Sequence, residues 1–545
     1  MPHNTATDSD IEIAAFRTAM KVVRDETQQL YERALLHARE EAEIFQAHIM
    51  LLEDSDSLCD PVEQVIRSER KCAAWACEEQ FDQVYAMLSG LDDAYMRQRA
   101  ADILDLKHRV LGALLNDKKQ LCILPDHAIL VARDLMPSDT IKLDFTRLVG
   151  IVCEEGSQTS HTAILAKAMG IPAVMGCKGI LHNACDGATL LLNAASGEVI
   201  CNPSAEEISA FAGQLRQQEQ ARERLQAYKG KKSQTADGHT VSLLGNIASA
   251  DECKTAMEYD CEGIGLFRSE FLYMNDTLPD EQTQFQAYKL ALLHANGKPV
   301  TIRTLDVGGD KTLPALPLPS EENPFLGYRA IRICLNEPAL FKTQLRALLR
   351  ASAFGPLRIM LPMVCCIEEL RQAKQCIAEC KQELLREQIA FDASVKVGIM
   401  VEVPAVAIAA DLFAKECDFF SIGTNDLCQY TLAVDRGNSA IAPLYTHYHP
   451  SVVRLIANTI AAAERAGIPC CMCGEAAGDL TFIPLLVGLG LQNFSMAPPL
   501  ILRAREVIHS ISYQQWKEKS AVCCSMPTQE LKQYLRAQVP QACSI

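Results

Sequence analysis

The sequence of 545 residues predicts a multidomain α/β protein, with an N-terminal helical bundle, a small α/β domain and a C-terminal (β/α)8 barrel. Three observations support this prediction. Between about residues 11 and 114, glycine is rare and strong helix formers dominate. Between about residues 122 and 202, short β-rich runs alternate with turn residues. From about residue 240 onward, eight apolar strand candidates are separated mostly by helical stretches, as in a parallel barrel. We therefore place the domains at residues 1–118, 119–202 and 233–545, with a linker helix at 203–232.

The composition limits the classes of function that this chain can have. Lysine and arginine number 52 against 68 aspartate and glutamate residues, which gives a net charge of −16. This acidic balance argues against broad nucleic-acid binding, which depends on cations that neutralise phosphates. No run approaches the roughly 20 apolar residues of a membrane helix, and the N-terminus lacks the apolar core of a signal peptide. The 23 cysteines are an odd number without paired CxxC motifs, so we expect reduced thiols in a cytoplasmic protein with no membrane insertion.

Helical periodicity supports the bundle and the linker. Ile103, Leu106 and Val110 recur at helical spacing, as on the buried face of a bundle helix. In the linker, Ser204 and Glu207 form the pattern of a capping box at a helix N-terminus. The long charged sequence that follows predicts a solvated helix, which ends at a Gly-Lys-Lys turn.

A candidate nucleophile lies in the α/β domain, in the sequence TSHTAILAKAMG. Thr159 and Ser160 can cap a helix that begins near His161 and ends at Gly170. At a helix N-terminus the positive end of the dipole favours an anionic adduct and disfavours imidazolium, so the ring of His161 stays nucleophilic. A lone histidine at a helix start is more often a cap or a packing residue. Phosphorylation of His161 would require a phosphoryl donor bound elsewhere in the protein.

Three arginines stand near the C-terminal ends of the predicted barrel strands. Arg268 ends one strand (GIGLFR), Arg303 lies in the next (TIRTLD), and Arg436 follows the sixth. Catalytic residues of (β/α)8 barrels gather at this end, so we expect the guanidinium groups to converge there. Each arginine alone is more often a surface or ion-pairing residue, but a shared position favours a site for phosphate or carboxylate oxygens.

Two carboxylates follow consecutive strands at the same end of the barrel. Glu402 lies in MVEVPA and Asp426 in GTNDL. Two carboxylates with substrate oxygens and waters form a usual Mg²⁺ site, but the same residues could instead pair with the arginines. Asn425, next to Asp426, can donate a hydrogen bond to a phosphoryl oxygen. Cations around a phosphorylated anion indicate phosphoryl transfer by electrostatic stabilisation.

One cysteine differs from the others in its position. A buried cysteine is usually a small apolar residue, and we expect this of Cys470 and Cys471. Cys473 ends the seventh strand (MCGE), which places it at the barrel mouth. A thiol at that position can act as a nucleophile, a metal ligand or a proton donor.

Long motifs in these segments resemble a known family. The sequences TSHTAILA, GIGLFRSEFL, IRTLDVGGDK, MVEVPA, DFFSIGTNDLCQYTLAVDRGN and MCGEAAGD are similar to those of Enzyme I, the phosphoenolpyruvate–protein phosphotransferase family of the bacterial sugar phosphotransferase system. The motifs occur in the family's order, and the resemblance covers nearly the whole chain.

The resemblance implies a substrate, a metal and a role for each candidate residue. Phosphoenolpyruvate and Mg²⁺ would bind at the barrel mouth, with Glu402 and Asp426 as metal ligands. His161 would attack the phosphorus, and Cys473 would protonate the enolate carbon to give pyruvate. The residues implied to hold the substrate are Arg268, Arg303, Asn425, Asp426 and Arg436, with support from Arg329.

The resemblance also implies macromolecular partners. The phosphohistidine of the 119–202 domain would pass its phosphoryl group to a histidine of the small carrier HPr, docked on the 1–118 bundle. Family members form homodimers through the barrel, here residues 233–545. The linker helix is a plausible lever for the domain motion that this relay requires.

The sequence departs from the family pattern in the α/β domain. A short N-terminal β segment with a Ser-Pro-Gly motif is absent, and Ser157 and Gln158 replace a common glycine and arginine. These changes leave open a regulatory protein that binds its partners without turnover. Pyruvate phosphate dikinase and phosphoenolpyruvate synthase share the histidine domain and the barrel, but they add an ATP-binding domain for which this chain has no room. Mixing the protein with labelled phosphoenolpyruvate and carrier would distinguish enzyme from binding protein.

Overall fold

The computed structural model describes most of the chain, in two compact units, Met1–Leu215 and Arg216–Ile545. The described residues are 5–6, 8–37, 39–53, 58–90, 94–115, 124–135, 143, 145–156, 160, 162–163, 166, 170–274, 277–309, 313, 315–316, 318–438 and 440–539.

The first unit begins with a helical bundle. Its helices are α1 (Ser9–His37), α2 (Arg39–Glu53), α3 (Asp60–Glu69), α4 (Ala73–Ser89) and α5 (Ala94–Leu114). The predicted apolar positions Ile103, Leu106 and Val110 of α5 are buried in one core with Phe16 of α1 and Phe81 of α4. The helical periodicity of the sequence therefore marks the buried face, and the predicted bundle is confirmed.

A small α/β domain follows in the same unit. Its elements are β1 (Ala128–Ala132), β2 (Leu148–Cys153), β3 (Ala173–Val174), α6 (Ile180–Asn183), β4 (Leu190–Asn193) and β5 (Glu198–Cys201). Strands β1, β2 and β3 form a parallel sheet, and β4 pairs with β5 in an antiparallel hairpin. The two-residue strand β3 is too short to show an alternating pattern, so the sequence did not predict it. Residues 162, 163 and 166 are helical where a helix was predicted, whereas His161 lies outside the described residues.

The linker helix α7 (Ala205–Gln226) begins with the predicted capping box. The backbone N–H and the hydroxyl of Ser204 donate to Glu207 over 2.7 and 2.8 Å, and the N–H of Glu207 donates to Oγ of Ser204 over 3.2 Å. Most side chains of α7 are exposed, in agreement with the predicted solvated helix.

The second unit contains a closed barrel of eight parallel strands within its described residues. The strands are β6 (Ser242–Ile247), β7 (Ile264–Arg268), β8 (Val300–Arg303), β9 (Leu357–Leu361), β10 (Lys396–Val401), β11 (Phe420–Ile422), β12 (Cys470–Met472) and β13 (Asn493–Met496). Each falls in one of the predicted apolar runs, and the predicted (β/α)8 barrel is confirmed. The strands follow chain order around the ring, and β13 pairs with β6 to close it.

Helices connect the strands and cover the barrel. They are α8 (Ala250–Glu258), α9 (Glu281–His294), α10 (Ile331–Asn336), α11 (Pro338–Ala351), α12 (Ile367–Arg386), α13 (Pro404–Ile408), α14 (Ala410–Phe413), α15 (Thr424–Leu432), α16 (Pro450–Ala466), α17 (Ile483–Gly488), α18 (Ile501–Ser510), α19 (Tyr513–Cys523) and α20 (Thr528–Gln538). Because all strands are parallel, their C-terminal ends lie together at one end of the barrel, the mouth. Across the described chain, no helix combines the length and the apolar character needed to cross a membrane.

Candidate functional site

A cavity of about 350 Å³ lies at the mouth of the barrel. Its lining is mostly polar and comes from the ends of several strands and from the loops that follow them. The lining residues are Leu266, Arg268, Arg303, Asp306, Met400, Glu402, Gly423, Asn425, Asp426, Arg436, Cys473, Gly474 and Glu475. The structure thus brings together the predicted site residues of the barrel in one lining, except Arg329. Arg329 does not line the cavity but contacts two residues that do, Asp306 and Asp426.

Arg268 and Arg303 are register partners at the ends of neighbouring strands β7 and β8. Arg268 is exposed, whereas Arg303 is buried and forms ion pairs with Glu270 at 2.6 Å and Asp306 at 2.8 Å. Burial disfavours a charged guanidinium, but Asp306 and Glu270 outweigh this effect and hold the pKa of Arg303 above its usual range. Arg303 is therefore a fixed positive charge beside the more accessible Arg268.

Arg329 supports the site through other side chains. Its Nη2 lies 2.9 Å from Asp306, and its Nη1 lies 3.5 Å from Asp426 and 3.1 Å from the hydroxyl of Tyr430. Asp306 consequently bridges Arg329 and Arg303. The sequence analysis did not single out Asp306, although its position three residues after Arg303 in the TIRTLD motif was a usable signal.

Glu402 and Asp426 are both buried where they line the cavity. Asp426 pairs with Arg329, whereas Oε1 of Glu402 accepts the backbone N–H of Met363 over 2.6 Å. Burial, and then the charge of Asp426, raise the pKa of Glu402 well above its usual range. Two buried carboxylates that repel one another fit a bound cation, and carboxylate oxygens are ligands that Mg²⁺ prefers. The residues present therefore fit the metal site that the sequence suggested.

Asn425 is oriented by reciprocal hydrogen bonds with Glu475. Its side-chain N–H₂ donates to Oε1 of Glu475 over 3.2 Å, and the backbone N–H of Glu475 donates to its Oδ1 over 3.0 Å. Glu475 follows Cys473 in the MCGE motif, but the sequence analysis assigned it no role. Arg436 lies after α15, and its backbone N–H donates to Oε1 of Gln429 over 3.2 Å.

Cys473 is buried at the end of β12, beside the same cavity. Burial raises the pKa of the Cys473 thiol to about 11, so the group is protonated at neutral pH. This state favours a proton donor over a thiolate nucleophile or ligand. The following residue is glycine, and a Cβ at Gly474 would overlap the backbone nitrogen of Thr424.

Asn246 fixes the backbone at Cys473. Its side-chain N–H₂ donates to the carbonyl oxygens of Cys473 and Ser495, over 3.0 and 3.3 Å. The hydroxyl of Ser495 donates in turn to Oδ1 of Asn246 over 2.6 Å. Asn246 therefore joins the first strand of the barrel to the seventh and the eighth, and holds the thiol of Cys473 in place.

Comparison with known proteins agrees with this architecture. The chain matches family models described as the PEP-binding domain, the mobile domain and the N-terminal domain of PEP-utilising enzymes, at residues 222–513, 124–197 and 2–99. The phosphoenolpyruvate-protein phosphotransferase of Staphylococcus carnosus (strain TM300) is 43% identical over 96% of this chain and 92% of its own length. Proteins of the same name from Bacillus sp. (strain S) and Geobacillus stearothermophilus are each 44% identical, over 96% of this chain and 91% of their own lengths.

Proposed function

The chain belongs to the phosphoenolpyruvate-protein phosphotransferase family of PEP-utilising enzymes, and on this premise we propose its reaction. The protein transfers the phosphoryl group of phosphoenolpyruvate to its own His161 and then to a histidine of the carrier HPr, and it releases pyruvate. This reaction is the first step of the sugar phosphotransferase system. The observation that carries the proposal is the cavity at the barrel mouth, where arginines, two buried carboxylates and a protonated thiol surround one space.

The arginines suit a small trianionic substrate. Arg268, Arg303 and Arg436 line the cavity and bind the phosphate and carboxylate oxygens of phosphoenolpyruvate by charge-assisted hydrogen bonds. Arg329 acts indirectly, because it positions Asp426 and Asp306 through ion pairs. Asn425 donates to a phosphoryl oxygen from the position that Glu475 gives it. Fixed cations stabilise the charge that gathers on the phosphoryl group during transfer.

Glu402 and Asp426 would hold Mg²⁺ in this cavity. When bound, the ion neutralises charge on the phosphoryl oxygens and orients the substrate. The backbone N–H of Met363 fixes one oxygen of Glu402 and leaves the other oxygen of the carboxylate for the ion. Arg329 fixes Asp426 in a similar way.

Cys473 completes the reaction as a general acid. Transfer of the phosphoryl group breaks the P–O bond and leaves the enolate of pyruvate. The S–H bond of Cys473 then breaks as a new C–H bond forms at the enolate carbon, and solvent returns the proton to the thiolate. A thiol that is protonated at neutral pH is suited to this step, and Asn246 keeps it at the cavity wall.

The remaining parts of the chain have roles that the family resemblance implies. Residues 119–202 carry the phosphohistidine, residues 1–118 bind HPr, and residues 203–232 link them to the barrel and dimerisation domain of residues 233–545. The described cysteines are free thiols, which fits a protein of the reducing cytoplasm.

The proposal is tested with phosphoenolpyruvate radiolabelled in the phosphate. The protein with Mg²⁺ should take up acid-labile label and pass it to added HPr. His161→Ala should abolish the uptake, whereas His182→Ala, an exposed histidine of the same domain, should label normally. A folded parent protein that never takes up label would refute the proposed phosphotransferase activity. It would favour a regulatory protein that binds its partners without turnover.

A further inference from the structure

A second cluster of metal-ligating side chains lies outside the cavity, between strand β9 and helix α12. The thiols of Cys365 and Cys366 and a carboxylate oxygen of Glu369 lie within 4.8 Å of one another. All three residues are half-buried, so an ion can reach them from solvent and keep part of its hydration shell. Two adjacent thiols with a carboxylate form a donor set quite different from the oxygen ligands of the cavity.

Backbone hydrogen bonds hold this cluster in shape. Oε2 of Glu369 accepts the backbone N–H of Cys365 over 2.6 Å and that of Cys366 over 3.3 Å. The side chain of Cys366 accepts the N–H of Glu369 in return, which completes a capping box at the N-terminus of α12. The helix start therefore keeps the three ligand groups together before any ion binds.

The geometry points to a site for a thiophilic divalent cation of the Zn²⁺ class, bound by Cys365, Cys366 and Glu369. Zinc accepts thiolate and carboxylate ligands at about 2.3 and 2.0 Å in a tetrahedron, so the ligand atoms need to move together only slightly. Water takes the fourth position. Magnesium disfavours thiolates, so this cluster and the cavity select different ions.

The cluster is connected to the catalytic cavity by a short stretch of backbone. Met363, two residues before Cys365, donates its N–H to Glu402 over 2.6 Å. Met363 also has a φ of 56°, in the left-handed region that few residues other than glycine adopt. Because the N–H of Met363 fixes Glu402, even a small shift of this constrained segment on ion binding would loosen that carboxylate and lower phosphoryl transfer.

Cadmium is the probe for binding, because Cd²⁺–thiolate bonds absorb in the ultraviolet. Reduced, metal-stripped full-length protein is titrated with Cd²⁺ in excess Mg²⁺, and Zn²⁺ is then added as competitor. We expect the parent to bind one more Cd²⁺, with more thiolate absorption, than the double variant Cys365→Ser, Cys366→Ser. Serine retains the helix cap and removes the soft ligand, so the variant remains folded.

Two single variants sharpen the assignment. Glu369→Gln keeps the capping box and should weaken Cd²⁺ binding by roughly tenfold or more. Cys376→Ser removes another half-buried thiol, on the same helix, and should leave the titration unchanged. Equal Cd²⁺ stoichiometry and equal thiolate absorption in the parent and the double variant would overturn the site.

Activity is read separately from binding. Micromolar Zn²⁺ should slow pyruvate release by the parent more than by the double variant, with both assayed in excess Mg²⁺. Equal inhibition of the two proteins would overturn the link to the cavity, while the Cd²⁺ titration decides the site. A parent without phosphotransferase activity would refute the proposed function and leave the Cd²⁺ result standing.

Discussion

The backbone N–H of Met363 donates to Oε1 of Glu402 over 2.6 Å, which joins the loop after one barrel strand to the carboxylate after the next. The carboxylate of Glu402 is thus fixed by a peptide group and not by a flexible side chain. This arrangement holds a buried carboxyl group in one orientation at the wall of the cavity.

Glu402→Gln should lower the phosphorylation of the protein by phosphoenolpyruvate on the order of 10²-fold, because it replaces one of the two carboxylates proposed to hold Mg²⁺. Raising the Mg²⁺ concentration should recover part of the loss, as measured by single-turnover labelling. The control is Glu475→Gln, which alters a carboxylate of the same cavity but keeps an oxygen for Asn425 to donate to. The same Mg²⁺ dependence in Glu402→Gln and in the parent would contradict the assignment of the ligand.

Cys473→Ala should slow pyruvate formation by roughly 10²- to 10⁴-fold, the range that general acid catalysis contributes. Transfer of label to the protein in a single turnover should be affected less, since the proposed acid acts on the enolate and not on the phosphorus. The matched control is Cys471→Ala, which changes a thiol two residues earlier, inside strand β12. Near-normal pyruvate formation in Cys473→Ala would exclude the thiol as the proton donor.

Asp306→Asn should destabilise the barrel by about 3–5 kcal/mol, because Arg303 and Arg329 are both buried and both pair with this carboxylate. Thermal unfolding of the full chain, followed by calorimetry, measures the effect on the transition of the barrel. Glu387→Gln breaks an ion pair with Arg346 at the surface and should have a much smaller effect. Comparable losses in the two variants would show that Asp306 is not central to the buried network.

Asp479 should make the free energy of unfolding of the protein depend on pH in the acid range. Burial opposes its charge, but hydrogen bonds from His447 at 2.9 Å and from Tyr448 and Thr481 outweigh burial and hold the pKa of Asp479 well below its usual range. A carboxyl group whose pKa is lower in the folded state contributes stability above its unfolded pKa of about 3.9, and this contribution is lost as the pH falls further.

The test compares Asp479→Asn with the parent by thermal unfolding at several pH values. The variant should be less stable at neutral pH. The difference should shrink below about pH 4, because Asp479 of the parent then takes up a proton in the unfolded state before it does so in the folded state. The exposed Asp411→Asn should show no such trend. A difference that stays constant down to acid pH would exclude the titration of Asp479 as its source.

The barrel strands could be predicted from sequence because parallel strands buried on both faces read as short apolar runs. Polar residues at the ends of those runs, such as Arg268 and Cys473, then identified the mouth. Glu270 was missed, because its partner Arg303 lies on the neighbouring strand and no local pattern records such pairing. Asp306 was missed although its pairing with Arg303 is local, and its second partner, Arg329, lies in a later loop. Strand β3 was missed because two residues contain no periodicity.

The amide of Asn246 has a consequence for how the protein is made. It binds carbonyl groups 227 and 249 residues further along the chain, so the thiol of Cys473 acquires its setting only after nearly the whole polypeptide has left the ribosome. A chain that ends before Ser495 lacks one of the two carbonyl groups that Asn246 binds, and a chain that ends before Cys473 also lacks the proposed acid. The proposed reaction at the mouth therefore requires a chain long enough to close the eight-stranded barrel.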